Sequence, residues 1–500
     1  MLGFLLVLTT YYRFFVEVTK HQHPPALRVF FSTEMWERNG FYVVQTLLAL
    51  YLALYFSWPD KRIYALMGSF TALTYISPVF GGWIADHLIG QKRAILLGAA
   101  FLLLSYLFLG VFASDHTLPV VLAGIAVGTG LLKSNISSLL GNQYTENSAS
   151  RERGFTIFYM GITSGIILGT ILPSYLNRHF GWSLSFISAA LGILLGMIIF
   201  SLGIKYYRIR DYKPYQHSFK NTCQAIMIIA LLWISSFLII SLPAFADSVF
   251  YAVALLSLGY LFYCIRQEVS SQARKTLVIL LLCVISAMFW AFYFQMFLSL
   301  TLFIARVIQP SLLGFPFPPP YYVAIQSVGM IMIGLFLSRK KTKAYPFQNT
   351  IRAGNKFLLA MIVMTFAYAR ILLVAHFSTQ TQGLLSPLWI IPAYLMISLA
   401  ELLLSPVGLS AITILANRNR VSTMMGIFFV SLGIGGFLSG KLATITAMSN
   451  SDLSLIAMKQ HYEASFLIIL KILTSLTILC VGVNAMIKRL MNRSLIPQDS

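Results

Sequence analysis

The stretch from Ser32 to Gln45 (Ser-Thr-Glu-Met-Trp-Glu-Arg-Asn-Gly-Phe-Tyr-Val-Val-Gln) places three charged residues, Glu34, Glu37 and Arg38, at the opening of a long apolar run. At 3.6 residues per turn, Glu34, Arg38, Phe41 and Gln45 fall along one stripe of a helix, with Glu37 and Tyr42 at its edges. Each charge at the centre of a bilayer costs about 2.5–3.5 kcal/mol, so the stripe must face protein or a watery cavity. Carboxylates and a guanidinium held in such a place can exchange protons or pair with a charged solute. Lys133 and Glu401 are two more ionisable groups deep within apolar runs. The eight histidines all lie near the ends of such runs or in loops, so any proton carried would ride on a glutamate.

The competing structural reading of the stripe is an i,i+4 Glu34–Arg38 staple that eases insertion. Glu37 and Arg38 are adjacent and do not face each other, so at least one of them needs a partner on another helix. That requirement favours a lining of a transport path. Lys133, a lone cation between Gly-Leu-Leu and Ser-Asn, reads the same way. Lys441, Lys471 and Arg370 read instead as long side chains snorkelling to an interface. Metal-ligand spacing, a nucleotide-binding glycine loop and a nucleophile–base pair are not evident, so an enzyme finds no support and no cofactor is expected.

These residues need long apolar helices to carry them, and the composition supplies them. Of 500 residues, 58% are hydrophobic and 10% charged, with mean hydropathy +0.79. A soluble globule carries about 25% charged residues. The chain therefore reads as an all-α polytopic membrane protein. A net charge of +21 would suggest nucleic acid in a soluble protein. Here the Lys and Arg residues sit in short loops and fix orientation, and no nucleic-acid partner is expected.

About fourteen apolar runs meet the ~20-residue spanning criterion. They begin near residue 26 and end near 487: six spans to about 206, a basic linker with Lys205, Arg208, Arg210, Lys213 and Lys220, two further spans around Pro243, then six more. One set of loops is basic (Lys92 and Arg93, Arg151 and Arg153, the linker, Arg266 with Arg274 and Lys275, Arg339 to Lys343, Arg418 and Arg420, Lys488 and Arg489). The opposite set is sparse, with Asp60, Lys61, Arg62, Asp115, Arg178, Asp247, Arg306 and Lys459. This alternation puts both termini inside. The implied organisation is an N-terminal extension (1–22), a six-helix bundle (23–206), a linker with an inserted hairpin (207–273), a second six-helix bundle (274–490) and a tail (491–500), with a cavity between the bundles.

Glycines at four-residue intervals, Gly161, Gly165 and Gly169, Gly124 and Gly128, Gly436 and Gly440, read as close helix packing. Cys223, Cys264, Cys283 and Cys480 are scattered and read as free thiols. Residues 1–20 read as an amphipathic surface segment or as an extension without function, and a signal peptide is disfavoured.

Several ordered segments resemble the signatures of one family. Glu34-Met-Trp-Glu37-Arg38, followed by Phe41-Tyr42, resembles the first-helix motif of the proton-dependent oligopeptide transporters, a branch of the major facilitator superfamily. Tyr75-Ile-Ser-Pro78-Val-Phe-Gly81-Gly82-Trp-Ile-Ala-Asp86 with Gly90-Gln-Lys92-Arg93 is similar to the motif joining the second and third helices. Leu132-Lys133-Ser-Asn135, Phe158-Tyr159-Met-Gly161-Ile and Glu401-Leu-Leu-Leu-Ser405-Pro406-Val-Gly408 resemble those of the fourth, fifth and tenth. The likeness runs from His23 onward.

The resemblance implies a major facilitator fold of two six-helix bundles plus the inserted pair, alternating access, and proton-coupled symport of di- and tripeptides. It assigns proton coupling to Glu34, Glu37, Arg38 and Lys133. Arg38 and Lys133 would also take the peptide carboxylate, Glu401 the ammonium, and Tyr42 and Tyr75 the peptide backbone, with Phe294 and Phe428 lining the pocket. Gly82, Asp86, Gly90, Lys92 and Arg93 form a conformational motif. The expected partners are a peptide or peptide-like molecule, protons and lipid. The expected state is a monomer in a bacterial-type inner membrane.

This chain also departs from the pattern. Phe294 stands where the family usually has a seventh-helix glutamate that takes part in coupling. Thr163 and Gly329 stand for asparagines, Phe428 for a tryptophan, and Phe41 for the first tyrosine of a pair. These changes make the pocket more apolar and motivate an alternative: another zwitterionic or peptide-like cargo, with weakened or absent proton coupling. A sensor would carry a long regulatory domain, and none is evident.

Overall fold

A computed structural model describes residues 23–144, 149–209, 211, 218–338, 346–417, 420–448 and 454–493. The N-terminal extension, Arg210 and Lys213 of the linker, Arg339 to Lys343, Arg418 and the last residues of the tail lie outside the described residues.

The described residues are helical almost throughout. In order the helices are α1 Leu27–Leu54, α2 Asp60–Ile84, α3 Gln91–Val111, α4 Leu118–Gly141, α5 Ala149–Tyr206, α6 Phe219–Ser241, α7 Pro243–Gln267, α8 Ser270–Tyr293, α9 Ser299–Val307, α10 Pro320–Ser338, α11 Pro346–Thr379, α12 Ile391–Leu415, α13 Val421–Ala443 and α14 Leu455–Arg493. Helices dominate because apolar chain in a bilayer must satisfy its backbone polar groups within the segment. Among the described residues, eleven helices are long and apolar enough to cross a membrane. One of them, Gly154–Tyr206, is bent at Gly181 (φ 84°), where only glycine is unstrained, and so supplies two spans. With the charged α1 and the shorter Pro320–Phe336, every expected span has its helix.

The seventh core span differs from the expected continuous helix. α8 ends at Tyr293, a 3-10 turn covers Phe294–Phe297, and α9 starts at Ser299. Polar side chains take up backbone groups at the break: Gln295 Nε2 donates to Ala291 O at 3.0 Å and Ser439 O at 2.8 Å, and Thr301 Oγ1 donates to Met296 O at 2.6 Å. Such internal partners are what allow a broken helix at membrane depth.

The chain divides into two compact units, one of residues 1–44 and 77–235, the other of 45–76 and 236–500. The division runs through α1 and α2. In the first unit, Gly161, Gly165 and Gly169 of α5 lie on the α1 backbone: a Cβ on each would meet Phe31 O at 2.9 Å, Met35 O at 2.3 Å and Asn39 O at 2.4 Å. α2 and α4 cross at Gly81 and Gly130, where a Cβ on Gly81 would stand 2.0 Å from Gly130 O. Gly124 and Gly128 admit α3 at Ser105 and Leu102. An apolar core joins Ile84, Leu88 and Ala94 to Val127 and Leu131 of α4 and to Ala225 and Ile229 of α6.

In the second unit, Gly436 and Gly440 of α13 meet Thr71 and Gly68 of α2 at 2.9 Å from the would-be Cβ atoms. The four-residue glycine spacing thus marks close crossings in both units. Asp60 and Arg306, which the loop pattern leaves as separate surface charges, form a two-pronged ion pair with both N···O distances 2.7 Å. Arg306 also donates to Tyr462 OH at 3.0 Å. Lys441 does not simply snorkel: it pairs with Asp247 of α7 at 2.5 Å. Arg370 lies over the Trp389 ring, 5.4 Å from its centre.

Candidate functional site

In the first unit, the stripe on α1 faces protein. Glu34, Glu37 and Arg38 are all buried. Arg38 grips Glu37 with two charge-assisted hydrogen bonds, Nε to Oε2 and Nη2 to Oε1. The expectation that adjacent residues could not partner each other fails here. Their Cα–Cβ bonds do diverge, but the arginine stem is long enough to fold back and lay its planar fork on the neighbouring carboxylate. Glu34 is reached by Arg38 Nε at 3.4 Å, and its Oε2 is buried with no hydrogen-bond partner among the described residues.

Lys133, half-buried on α4, lies within electrostatic range of Glu34, Glu37 and Arg38. The structure therefore brings together two carboxylates and two cations, a formally neutral set whose members can trade partners. A buried pair of this kind strands a charge as soon as one partner leaves, which ties pairing to the arrival of a proton or a solute ion. Phe41 caps the set, with Arg38 5.0 Å from its ring centre, and Tyr42 stands edge-on to Phe41 at 5.4 Å. Gly165 lets α5 press on this turn, since a Cβ there would stand 2.8 Å from Arg38 Cβ. Asn135, two residues past Lys133, ties α4 to α2 by donating to Gly81 O at 3.1 Å.

The segment from Gly82 to Arg93 forms a second constellation. A π-helical turn spans Ala85–Ile89, and Gly90 (φ 80°) ends it and starts α3. Asp86 is exposed. Lys92 is held by the linker that follows α5: its backbone N–H donates to Asp211 Oδ1 at 3.0 Å and its Nζ to Ile209 O at 3.2 Å. Buried Gln91 donates to Ser138 Oγ at 2.8 Å on α4. Of the glycine pair, Gly81 makes the tight crossing, whereas a Cβ on Gly82 would meet nothing nearer than Ser134 Oγ at 3.5 Å. Neither Asp211 nor Gln91 is assigned a role by the sequence motifs. Asp211 was the one acid within a basic linker, which was the available signal.

In the second unit, Glu401 of α12 accepts from Tyr293 OH at 3.0 Å and Gln326 Nε2 at 2.6 Å. Neither donor was foreseen, although both interrupt apolar runs with a hydrogen-bonding group. Gly329 lets α10 approach α12 at Ser398, which donates to Gln326 O at 2.7 Å and so sets the amide against Glu401. Phe294 is buried in an aromatic stack, 5.3 Å from Trp290 and 5.3 Å from Tyr75 by ring centres, with Tyr293 edge-on at 5.6 Å. Tyr75, Phe294 and Glu401 thus belong to one neighbourhood through Tyr293. Phe428 packs elsewhere on α12, on Gly408, where a Cβ would stand 2.5 Å from its ring tip. Thr163 donates to Tyr159 O of its own helix at 3.1 Å.

Known proteins share this architecture. The chain is 30% identical over 442 residues to a dipeptide and tripeptide permease A of Klebsiella pneumoniae, covering 87% of this chain and 86% of that protein. It is 29% identical over 460 residues to the permease of the same name from Escherichia coli K12, covering 88% and 89%. A solved structure described as "Structural insights into substrate recognition in proton dependent oligopeptide transporters" superposes with TM-score 0.79 at 27% identity, over 93% of this chain and 99% of that one. A tetrameric PepTSo2 crystal structure superposes with TM-score 0.80 at 26% identity, over 93% and 98%. Those folds are of the major facilitator type. Residues 92–462, well over half of the chain, match the model of the POT family, and together with this likeness that match places the chain in the POT family.

Proposed function

We propose that this protein is a secondary active transporter that moves di- and tripeptides together with protons by alternating access. The observation that carries the reading is the buried trio Glu34, Glu37 and Arg38, with Lys133 within electrostatic range, in a POT-family chain. The relatives named dipeptide and tripeptide permease support the cargo class. A short peptide is a zwitterion. Arg38 and Lys133 suit its carboxylate, Glu401 its ammonium, and Tyr42 and Tyr75 its backbone, while Glu34 and Glu37 take the proton. Gly82, Asp86, Gly90, Lys92 and Arg93 act in the conformational change, and Phe428 lines the peptide site. The two six-helix bundles are 23–206 and 274–490, with the hairpin inserted at 207–273. The transport unit is the monomer, in a bacterial-type inner membrane with both termini cytoplasmic, as the basic loops favour.

Uptake of a labelled dipeptide into proteoliposomes under an inward proton gradient tests the reading. Gradient-dependent uptake that Lys133→Ala abolishes is expected, and uptake unchanged in that variant overturns it.

A second reading rests on Phe294. Phe294, which by its motif stands where the family usually has a coupling glutamate, is a buried aromatic ring packed on Trp290. In that reading the cargo is a more apolar zwitterion or peptide-like metabolite, and coupling is weak or absent. Lumen acidification in step with peptide entry in the wild type would exclude it.

A further inference from the structure

Tyr106 of α3 has no part in the roles above. It is fully buried, and its ring lies against α1 at Gly40. A Cβ on Gly40 would stand 2.7 Å from Tyr106 Cε2 and 3.3 Å from Cζ, the carbon that bears the hydroxyl. Gly40 follows Glu37 by three residues, so phenol and carboxylate share a face of α1. The hydroxyl is buried with no hydrogen-bond partner among the described residues, and it lies within electrostatic range of Glu37 and Arg38. An unpaired buried hydroxyl is destabilising, and phenylalanine would fill the same space without that cost.

We infer that Tyr106 is a positioning residue for Glu37, its hydroxyl donating to the Glu37 carboxylate whenever Arg38 releases it. In the arrangement described, Arg38 forks onto both Glu37 oxygens and holds the carboxylate turned to itself, and the Tyr106 hydroxyl has no hydrogen-bond partner among the described residues. When the guanidinium turns to an anionic solute, buried Glu37 would lose both of its charge-assisted hydrogen bonds and keep only the more distant Lys133 charge, a costly state. A donor already waiting on α3 lowers that barrier and keeps the carboxylate in place for its proton. The other charged or titratable groups around it are Glu34, Arg38 and Tyr42 on α1 and Lys133 on α4. α5 meets α1 through Gly161, Gly165 and Gly169, and α3 through Ser183 and Ile187, none of them titratable. The inference rests on the proposed transport only for the event that draws Arg38 away.

A thermal-unfolding cycle on the purified full-length protein, comparing wild type, Tyr106→Phe, Arg38→Gln and the double variant, tests it without any peptide. Tyr106→Phe should leave Tm unchanged or raise it in the wild-type background. In the Arg38→Gln background, where Glu37 has lost its guanidinium, it should lower Tm by at least about 2 °C. The same offset in both backgrounds means the ring only packs, and overturns the inference. Should Arg38→Gln not fold, transport by Tyr106→Phe alone decides: proton-driven uptake is expected to fall about tenfold with counterflow exchange kept within about twofold. Equal effects on the two modes, or none, overturn it. A wild type that moves no peptide would sink the transport reading and leave the unfolding cycle to judge Tyr106.

Discussion

Arg38 folds back onto Glu37, its neighbour in the chain, and donates to both carboxylate oxygens, while Glu34, one turn away, is reached only at 3.4 Å and keeps one oxygen unpaired among the described residues. The two glutamates of one motif therefore stand in different situations. Glu37 holds the arginine, and Glu34 is the less committed partner.

Glu37→Ala should consequently destabilise the protein more than Glu34→Ala. Removing one member of a buried, hydrogen-bonded pair costs about 3–5 kcal/mol, because the other charge is left stranded. Thermal unfolding of both variants in the same detergent checks the order. A larger loss in Glu34→Ala would contradict the pairing.

Glu401 has two donors aimed at a single oxygen, Oε2. If that carboxylate also receives the peptide ammonium, Glu401→Gln should weaken binding of peptides with a free amino end by about tenfold or more, the effect of losing a charge-assisted hydrogen bond. N-acetylated peptides should be nearly indifferent to the change. Binding isotherms with matched free and acetylated peptides separate the cases.

Phe294→Glu restores the acid that the family usually carries, but it does so inside the stack of Trp290, Tyr75 and Tyr293. An ionised carboxylate buried among rings is costly, whereas the protonated acid is tolerated far better. The variant should lose stability at neutral pH and regain part of it as the pH falls, because acid neutralises the buried group. Tm measured across pH against wild type reads this directly. In proteoliposomes the same change should raise the proton dependence of uptake.

The paired glycines of the second-to-third-helix motif should differ sharply. Gly81→Ala drives a methyl into Gly130 O, 2.0 Å from its ideal position, whereas Gly82→Ala meets open space out to 3.5 Å. The first should cost at least about 1–3 kcal/mol through overpacking and the second little. Expression level and Tm of the two variants provide the comparison.

Much of the site was legible in the residues themselves. Glu34, Glu37, Arg38, Lys133 and Glu401 stood out because charge within a lipid-length apolar run is expensive, and only a protein interior or water repays it. Glycine spacing marked the close crossings, because a backbone can approach another only where no Cβ intervenes. Tyr293, Gln326, Asp211 and Tyr106 did not stand out. A tyrosine or glutamine in a helix is ordinary by composition, and its role appears only when another segment brings a carboxylate to its polar atom.

The linear chain determined that this is a helical membrane protein, where its spans lie and which few ionisable groups they must hide, because periodicity and transfer cost act locally along the sequence. Only the tertiary structure decided partners. It showed that Arg38 prefers its immediate neighbour, that the seventh core span breaks after Tyr293, that Asp60 finds Arg306, and that Glu401 is clasped by Tyr293 and Gln326. The physical reason is reach. Long side chains and distant segments meet through packing, and the order of residues in the chain does not encode that distance.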